Sequence, residues 1–315
     1  MIDFKTYDEQ IEILQERGLI IDDKEYAKFI LKVSNYYNVV NAYKDIFIQK
    51  GVTPETYISG ARFSELKALH TFDKKLRITL SNYLIIIERK IKSIIAYEFS
   101  KSCPNHNIDY LNIYKYNATL AIQDAENQPV LKAAKLIEKL ENEYTLAIDH
   151  NDEMICHYNN KYGRVPLWVF INKLTFGTIS KMYEVLKAPD QTNIAKSLKE
   201  ILHRNISPKE INNALKILVI LRNKTAHDQR IYDFSSSPIN VSANNQFLRE
   251  YSIRNSSSLF GAIACMSNFL DEEKFQSLLS EVRSLLEDLF KSLHCITQAD
   301  ILEKMGIPIQ FITET

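Results

Sequence analysis

The residues best equipped for chemistry stand together as Arg222-Asn223-Lys224-Thr225-Ala226-His227, the one place in the chain where a His lies five residues after an Arg. Each brings a different capacity. A histidine titrates near neutrality and serves as general acid or base. A guanidinium offers paired N–H donors that clamp a phosphate and stabilise charge gathering on it. The set R-N-x-x-x-H therefore suits attack on a phosphodiester, with His227 moving the proton and Arg222 holding the anion. A plainer reading of the same residues also stands, in which Arg222 pairs with an acidic neighbour and His227 serves a helix dipole. No Asp/Glu/His cluster at metal-ligand spacing accompanies the motif, so neither metal nor cofactor is expected.

These groups need an element to hold them, and the apolar run from Ala214 to Leu221 leads straight into the motif. Ser207-Pro208-Lys209-Glu210 supplies that helix with a start: Ser at the cap, Pro at the first position and Glu at the third, a capping box. The pattern predicts a motif helix over about 208–232. Asn223 then shares a face with His227, whereas Arg222 is rotated by about 140° from it on an ideal helix. One helix alone frames such a site poorly.

The rest of the chain reads as helix after helix. Tyr7 to Arg17 ends at Gly18, a C-cap signal. Asp22 and Asp23 open a second helix through Tyr26, Phe29, Ile30 and Val33, and a turn at Ser34-Asn35 leads into Tyr36 to Tyr43. A looser stretch runs from Gly51 to Gly60. Ser64 to Phe99 carries apolar residues at three- and four-residue steps, the mark of a long amphipathic helix. Cys103-Pro104-Asn105 breaks it. A further helix is expected from about Gln128 to Leu146, and a linker over 157–166, where residues 157–162 read as a loop-packing motif, with contact to substrate as the alternative. Leu167-Trp168-Val169-Phe170 opens a buried helix, and Phe176 begins the next with Thr178 or Ser180 as cap. Ser235-Ser236-Ser237 and Ser256-Ser257-Ser258 read as exposed loop, and a last amphipathic helix covers Glu272 to Leu293. The expectation is an all-α helical bundle, with an N-terminal helical subdomain over 1–60 and a core over 61–315.

Composition limits the partners. Lys plus Arg equal Asp plus Glu at 39 each, so no global basic field draws in nucleic acid and any contact with it must use local patches. The long helix offers one such candidate in Lys74, Lys75, Arg77, Arg89, Lys90 and Lys92, although Asp73, Glu88 and Glu98 fit a solvated, balanced face equally. Arg230 and Tyr232, just past the motif, are further candidates for holding RNA. With only 7 glycines and no G-x-G-x-x-G or P-loop, nucleotide-binding α/β folds are excluded. The four cysteines form no C-x-x-C pair, which points to reduced thiols in place of a zinc site or disulfide framework. The start, Met1-Ile2-Asp3-Phe4-Lys5, lacks a signal-peptide pattern, and no apolar run reaches the length of a membrane span. A cytoplasmic protein with no membrane partner is expected.

Several segments together carry a resemblance. Residues 35–44 (Asn35-Tyr36-Tyr37-Asn38-Val39-Val40-Asn41-Ala42-Tyr43-Lys44), Phe72-Asp73-Lys74-Lys75-Leu76-Arg77, Pro166 to Phe170, Thr175 to Ser180, Leu221 to His227 and Glu303 to Pro308 occur in this order. This chain resembles the Abi family of bacterial abortive-infection proteins, particularly its AbiF and AbiD branch, over nearly its whole length. It departs at Ala42, where relatives often carry Gly, and at Asp228-Gln229, where they tend to carry His or Asn-like residues before the Arg. The resemblance implies a HEPN-like helical bundle. It also implies a metal-independent endoribonuclease toxin of an anti-phage or toxin-antitoxin system, with catalytic residues Arg222, Asn223 and His227. Because HEPN nucleases appose two motifs and this chain holds one, it implies a homodimer with a composite site. RNA is the implied partner, as substrate and as a small non-coding antitoxin. HEPN folds also serve as non-catalytic RNA-binding regulatory modules, which is the alternative the resemblance leaves.

Overall fold

In the computed structural model, residues 3–103, 109–124, 127–241, 245–253 and 256–313 are described. The start at Met1-Ile2 and the break at Pro104-Asn105 lie outside them. The chain is all-α. Helices α1 (Tyr7–Glu16), α2 (Lys24–Ser34) and α3 (Phe63–Lys101) are followed by a small antiparallel hairpin of β1 (Ala121–Gln123) and β2 (Pro129–Leu131), with Ala121 opposite Leu131. Then come α4 (Lys132–Asp149), α5 (Glu153–Tyr162), α6 (Leu167–Phe170), α7 (Phe176–Val185), α8 (Ala188–Leu202) and α9 (Pro208–Ala226). The C-terminal part holds α10 (Gln246–Glu250), α11 (Leu259–Met266), α12 (Glu272–Phe290), α13 (Gln298–Met305) and α14 (Gln310–Thr313).

The organising element is α3. At 39 residues it is about 58 Å long, and α6, α7, α8, α9 and α12 all pack on it. A row from Leu66 through Leu69, Leu76, Leu80, Leu84, Ile87, Ile91 and Ile95 is buried, at the three- and four-residue steps that the sequence displays. One contiguous apolar core runs from Ile11 to Phe311 and includes residues of both the 1–60 stretch and the remainder. Two buried carboxylates on α3 fasten distant segments. Glu65 accepts from the amides of His294 (2.6 Å) and Cys295 (2.8 Å). Asp73 does the same for the segment after α9, as described below.

Several local readings are corrected by the packing. On α2 the buried residues are Ala27, Ile30 and Leu31, while Tyr26, Phe29 and Val33 face outward. The stretch expected as a linker is helical: α5 is capped by Asp152 and runs to Tyr162, ending at Gly163 in the left-handed conformation (φ +66°). The helix expected from Gln128 begins only at Lys132, because Pro129 to Leu131 pair with β1. The cap of α7 is Thr175, whose hydroxyl accepts from the Thr178 amide; Thr178 and Ser180 are buried within the helix. In the Ser-rich stretches, Ser236 and Ser258 are buried, and Ser235 bridges to Ser258. The last amphipathic helix stops at Phe290, and α13 and α14 follow it. No helix among the described residues is long and apolar enough to cross a membrane.

Candidate functional site

The motif sits at the C-terminal end of α9. Its N-terminus is the capping box read from the sequence: the Ser207 hydroxyl accepts from the Glu210 amide (3.3 Å), and Glu210 accepts from the Ser207 amide (2.8 Å). Ile211, Ala214, Leu215, Ile217, Leu218 and Leu221 drive one face of α9 into the core. The helix ends at Ala226, six residues short of the expected 232. His227 is its C-cap, with its amide donating to the Asn223 carbonyl (3.0 Å), and Asp228 follows at φ +53°. That early stop has a cause in α3.

The cause is Asp73, wholly buried. Its carboxylate accepts from the backbone amides of Ile231 (3.1 Å) and Tyr232 (2.7 Å), from the Tyr43 hydroxyl (2.8 Å) and from Arg77. Continuing α9 to 232 would consume those amides inside the helix, whereas turning away delivers them to a buried carboxylate that otherwise lacks partners. Burial pushes the Asp73 carboxyl up, against the pull of Arg77, the Tyr43 hydroxyl and the two amides. Arg77 also reaches Asp228 (2.5 Å) and the Gln229 carbonyl (3.4 Å). It is desolvated, yet its contacts with Tyr43 and Asp73 hold its pKa above the ordinary value. One buried ion pair thus fixes the whole tail from 228 to 232.

This placement revises several residues read as RNA contacts. Arg77 is buried in the network and cannot also meet a phosphate. Tyr232 is 1% exposed, its ring stacked on Tyr43 at 6.1 Å, so no face is left for a base. Arg230 spends its guanidinium on Asp233 (3.0 and 2.5 Å), Asp45 (2.9 Å) and the Ala42 carbonyl, tying the tail to the N-terminal stretch. Lys90 donates to the Phe269 carbonyl (2.8 Å) between α11 and α12. The expected basic face of α3 is therefore not one surface. Lys74 is exposed, Lys75 lies toward Asp288 of α12, and Arg89 and Lys92 look into a groove on another side. Residues 157–162, in α5, are engaged with one another and with α4: Tyr158 packs on His157 and Tyr162, and Asn159 accepts from the Tyr144 hydroxyl.

The three motif side chains are less committed. Asn223 and His227 are exposed and make no side-chain hydrogen bond among the described residues. Arg222, 40% exposed, lies 3.7 Å from Glu88, a carboxylate that Lys92 already holds at 2.8 Å. Asn223 and His227 are joined through one backbone hydrogen bond on the last turn, while Arg222 leans toward α3. The chain runs α9 antiparallel to α3 here, with Arg222 beside Glu88 and Asp228 beside Arg77.

Arg222 also stands at one end of a groove of about 950 Å³ between α3 and α6, which the sequence reading did not find. Its walls include Arg89, Lys92, Tyr97, Lys101 and Trp168. The sequence signal for it is Trp168, the single tryptophan of the chain, whose apolar neighbours predict a buried helix and which is instead 49% exposed. α6 lasts only from Leu167 to Phe170; Leu167, Val169 and Phe170 are buried and Trp168 is turned out. Among the described residues no group of three or more His, Cys, Asp or Glu side chains is arranged to hold a metal ion.

Fold and site together define an all-α bundle that presents a polar R-N-x-x-x-H turn at the end of a core helix. The chain belongs to the family of Abi-like proteins, whose model matches residues 29–233, from α2 to the aspartate that holds Arg230. Membership suggests a role in abortive infection. No curated protein and no solved structure matches the chain.

Proposed function

We propose that this Abi-like protein is a metal-independent endoribonuclease toxin of an anti-phage or toxin-antitoxin system, built on a HEPN-like bundle. The observation that carries the reading is the uncommitted state of Asn223 and His227 among the described residues, on a turn whose following residues, 228–232, are anchored by the buried Asp73–Arg77 pair. A His that makes no side-chain hydrogen bond among the described residues is available to take a proton from a 2′-hydroxyl or give one to the leaving 5′-oxygen. Arg222, only loosely held by Glu88, is available to the phosphate as charge builds on the phosphorane. Asn223 shares the last turn with His227 and supplies a donor beside it.

Arg222 leans toward α3 while His227 caps α9, so a single chain does not converge the two on one phosphate. Two copies related by a twofold axis do, if Arg222 of one protomer faces His227 of its partner. A homodimer is therefore part of the proposal. RNA is the substrate, and a small non-coding RNA is the proposed restraint.

The test is purified protein incubated with total RNA, with and without EDTA, followed by analysis of the new ends. Cleavage that survives chelation and leaves 2′,3′-cyclic phosphates is expected. A strict divalent-ion requirement with 5′-phosphate products would overturn the mechanism. Binding without cleavage would leave a non-catalytic RNA-binding regulatory module in its place.

A further inference from the structure

The groove beside Arg222 combines features that the motif alone does not explain. Along one wall, α3 contributes Arg89, Lys92 and Lys101, and α9 adds Arg222. Among the described residues, Glu88, shared between Lys92 and Arg222, is the only acid lining the groove, in a chain whose net charge is zero. Lys101 lies 3.9 Å from Glu98 of α3, whose side chain is nearly buried. Arg89 has no ion-pair partner among the described residues. Interleaved with the cations are two exposed aromatic rings, Trp168 at 49% and Tyr97 at 64%, together with a strip of aliphatic surface. Lys101 sits 5.8 Å from the centre of the Tyr97 ring, close enough to pair a phosphate while that ring meets a base. From Glu88 to Lys101 the wall is about 20 Å long.

From this geometry we infer that the groove is a track for single-stranded RNA, with Trp168 and Tyr97 as stacking platforms and Arg89, Lys92 and Lys101 neutralising the backbone. The inference rests on the ribonuclease reading for the identity of the ligand and adds its form: unpaired nucleotides leading toward the motif turn. Alternating flat rings and cations is what unstacked bases and their phosphates require, and an A-form duplex keeps its base faces covered. A second copy of this chain fits the groove less well, because an isologous contact there brings Arg89, Lys92 and Lys101 toward their own equivalents. The track meets the site at Arg222, so a strand lying in it delivers a phosphate to the last turn of α9.

Trp168 is the only tryptophan, so its own fluorescence reports this site. His227→Ala protein, which prevents cleavage, is titrated with a short oligouridine, a short oligoadenosine and a blunt RNA duplex. Saturable quenching by the single strands, with much weaker binding of the duplex, is expected. Anisotropy with labelled oligonucleotide then compares variants. Trp168→Ala weakens binding at least about 5-fold and Trp168→Phe retains most of it. Arg89→Gln and Lys101→Gln each lower the slope of log affinity against log salt by about 0.7. Circular dichroism confirms that these exposed substitutions leave the fold intact.

Equal binding of duplex and single strand, or unchanged affinity in the Trp168→Ala, Tyr97→Ala double variant, overturns the track. So does dissociation of a dimer by Trp168→Ala with RNA affinity unaltered, which would make this surface a protein interface. The two readings fail separately. Single-strand binding that depends on Trp168 in a protein that never cuts RNA sinks the ribonuclease and keeps the track. Cleavage that depends on His227 but is indifferent to Trp168 and Tyr97 does the reverse.

Discussion

Replacing Asp73 by Asn tests whether the buried pair on α3 shapes the motif turn. Asp73 is fully buried, so solvent cannot take over for any group that loses it. Its Oδ1 accepts from the Ile231 and Tyr232 amides, and its Oδ2 from Tyr43 and Arg77. An Asn of the same shape must place an N–H₂ on one of those sides. There it opposes either two amides or a guanidinium, and the carboxylate left to Arg77 is Asp228, whose side chain is 78% exposed. Breaking a buried pair costs about 3–5 kcal/mol, and a retained carbonyl acceptor brings the figure for Asn to about 3 kcal/mol. In a chain of this size that lowers the melting temperature by roughly 4–5 °C. Asp228→Ala, which removes the solvent-facing side of the same network, costs under about 1 kcal/mol. Thermal and urea unfolding followed by circular dichroism give both values. At a temperature where both variants are fully folded, Asp73→Asn should also cleave RNA more slowly than Asp228→Ala, because residues 228–232 lose their anchor. Asp73→Asn within about 0.5 kcal/mol of the parent, or as active as Asp228→Ala, would refute the positioning argument.

Arg222→Ala and His227→Ala are each expected to lower the cleavage rate by about 10²- to 10⁴-fold with helical circular dichroism unchanged, since neither side chain at this helix end is buried; a fully active His227→Ala protein refutes the assignment. Dimers mixed from wild-type and doubly substituted chains should lose most activity, and light scattering that finds an active monomer on RNA removes the composite site. Arg230→Ala should destabilise the fold by about 1.5–3 kcal/mol through lost bonds to Asp233, Asp45 and the Ala42 carbonyl, while leaving RNA affinity at 4 °C unaltered; weaker binding without destabilisation would return Arg230 to the substrate. His70, desolvated on α3 beside Lys67 and Arg77, has its pKa lowered from 6.5 to about 4. The unfolded chain therefore takes up this proton first, so stability falls as pH drops from about 6.5 toward 4 and is insensitive to this group above that window. His70→Gln should flatten the difference between melting curves at pH 7 and pH 5, and an unchanged pH response contradicts the assignment.

Where the sequence pattern has one dominant cause, the structure follows it. The 3.6-residue apolar rhythm of α3 and the capping box of α9 are local signals, and both elements form within a residue or two of their expected starts. The end of α9 was not legible, because a polar run such as Asp228-Gln229-Arg230 continues a helix as readily as it leaves one. What decides it is Asp73, a partner far away in the chain. The same distance hides the roles of Arg77, Arg230 and Tyr232. On paper they are two cations and an aromatic near the R-N-x-x-x-H motif; in the fold they are internal fastenings. Trp168 errs in the other direction: the flanking Leu167, Val169 and Phe170 make it look buried, and a single turn is too short to bury every side. Family resemblance carried the motif residues, and only the packing exposed the groove at their side.

The Asp73 anchor also sets an order of events. Tyr232 is 159 residues from the carboxylate it caps, and the His294 amide is 229 residues from Glu65. Contacts of such separation close late in folding, after the local helices exist. A chain still being made can complete α3 but must hold two carboxylates short of their backbone donors until the segments that supply them arrive. Fragments ending at 226 should therefore contain every residue of α9 and still be unable to hold its last turn in place. On the proposed toxin reading, this delays the assembly of the site until most of the chain exists, and limited proteolysis of staged fragments would reveal it as protection of the 222–232 region appearing only after residue 232 is included.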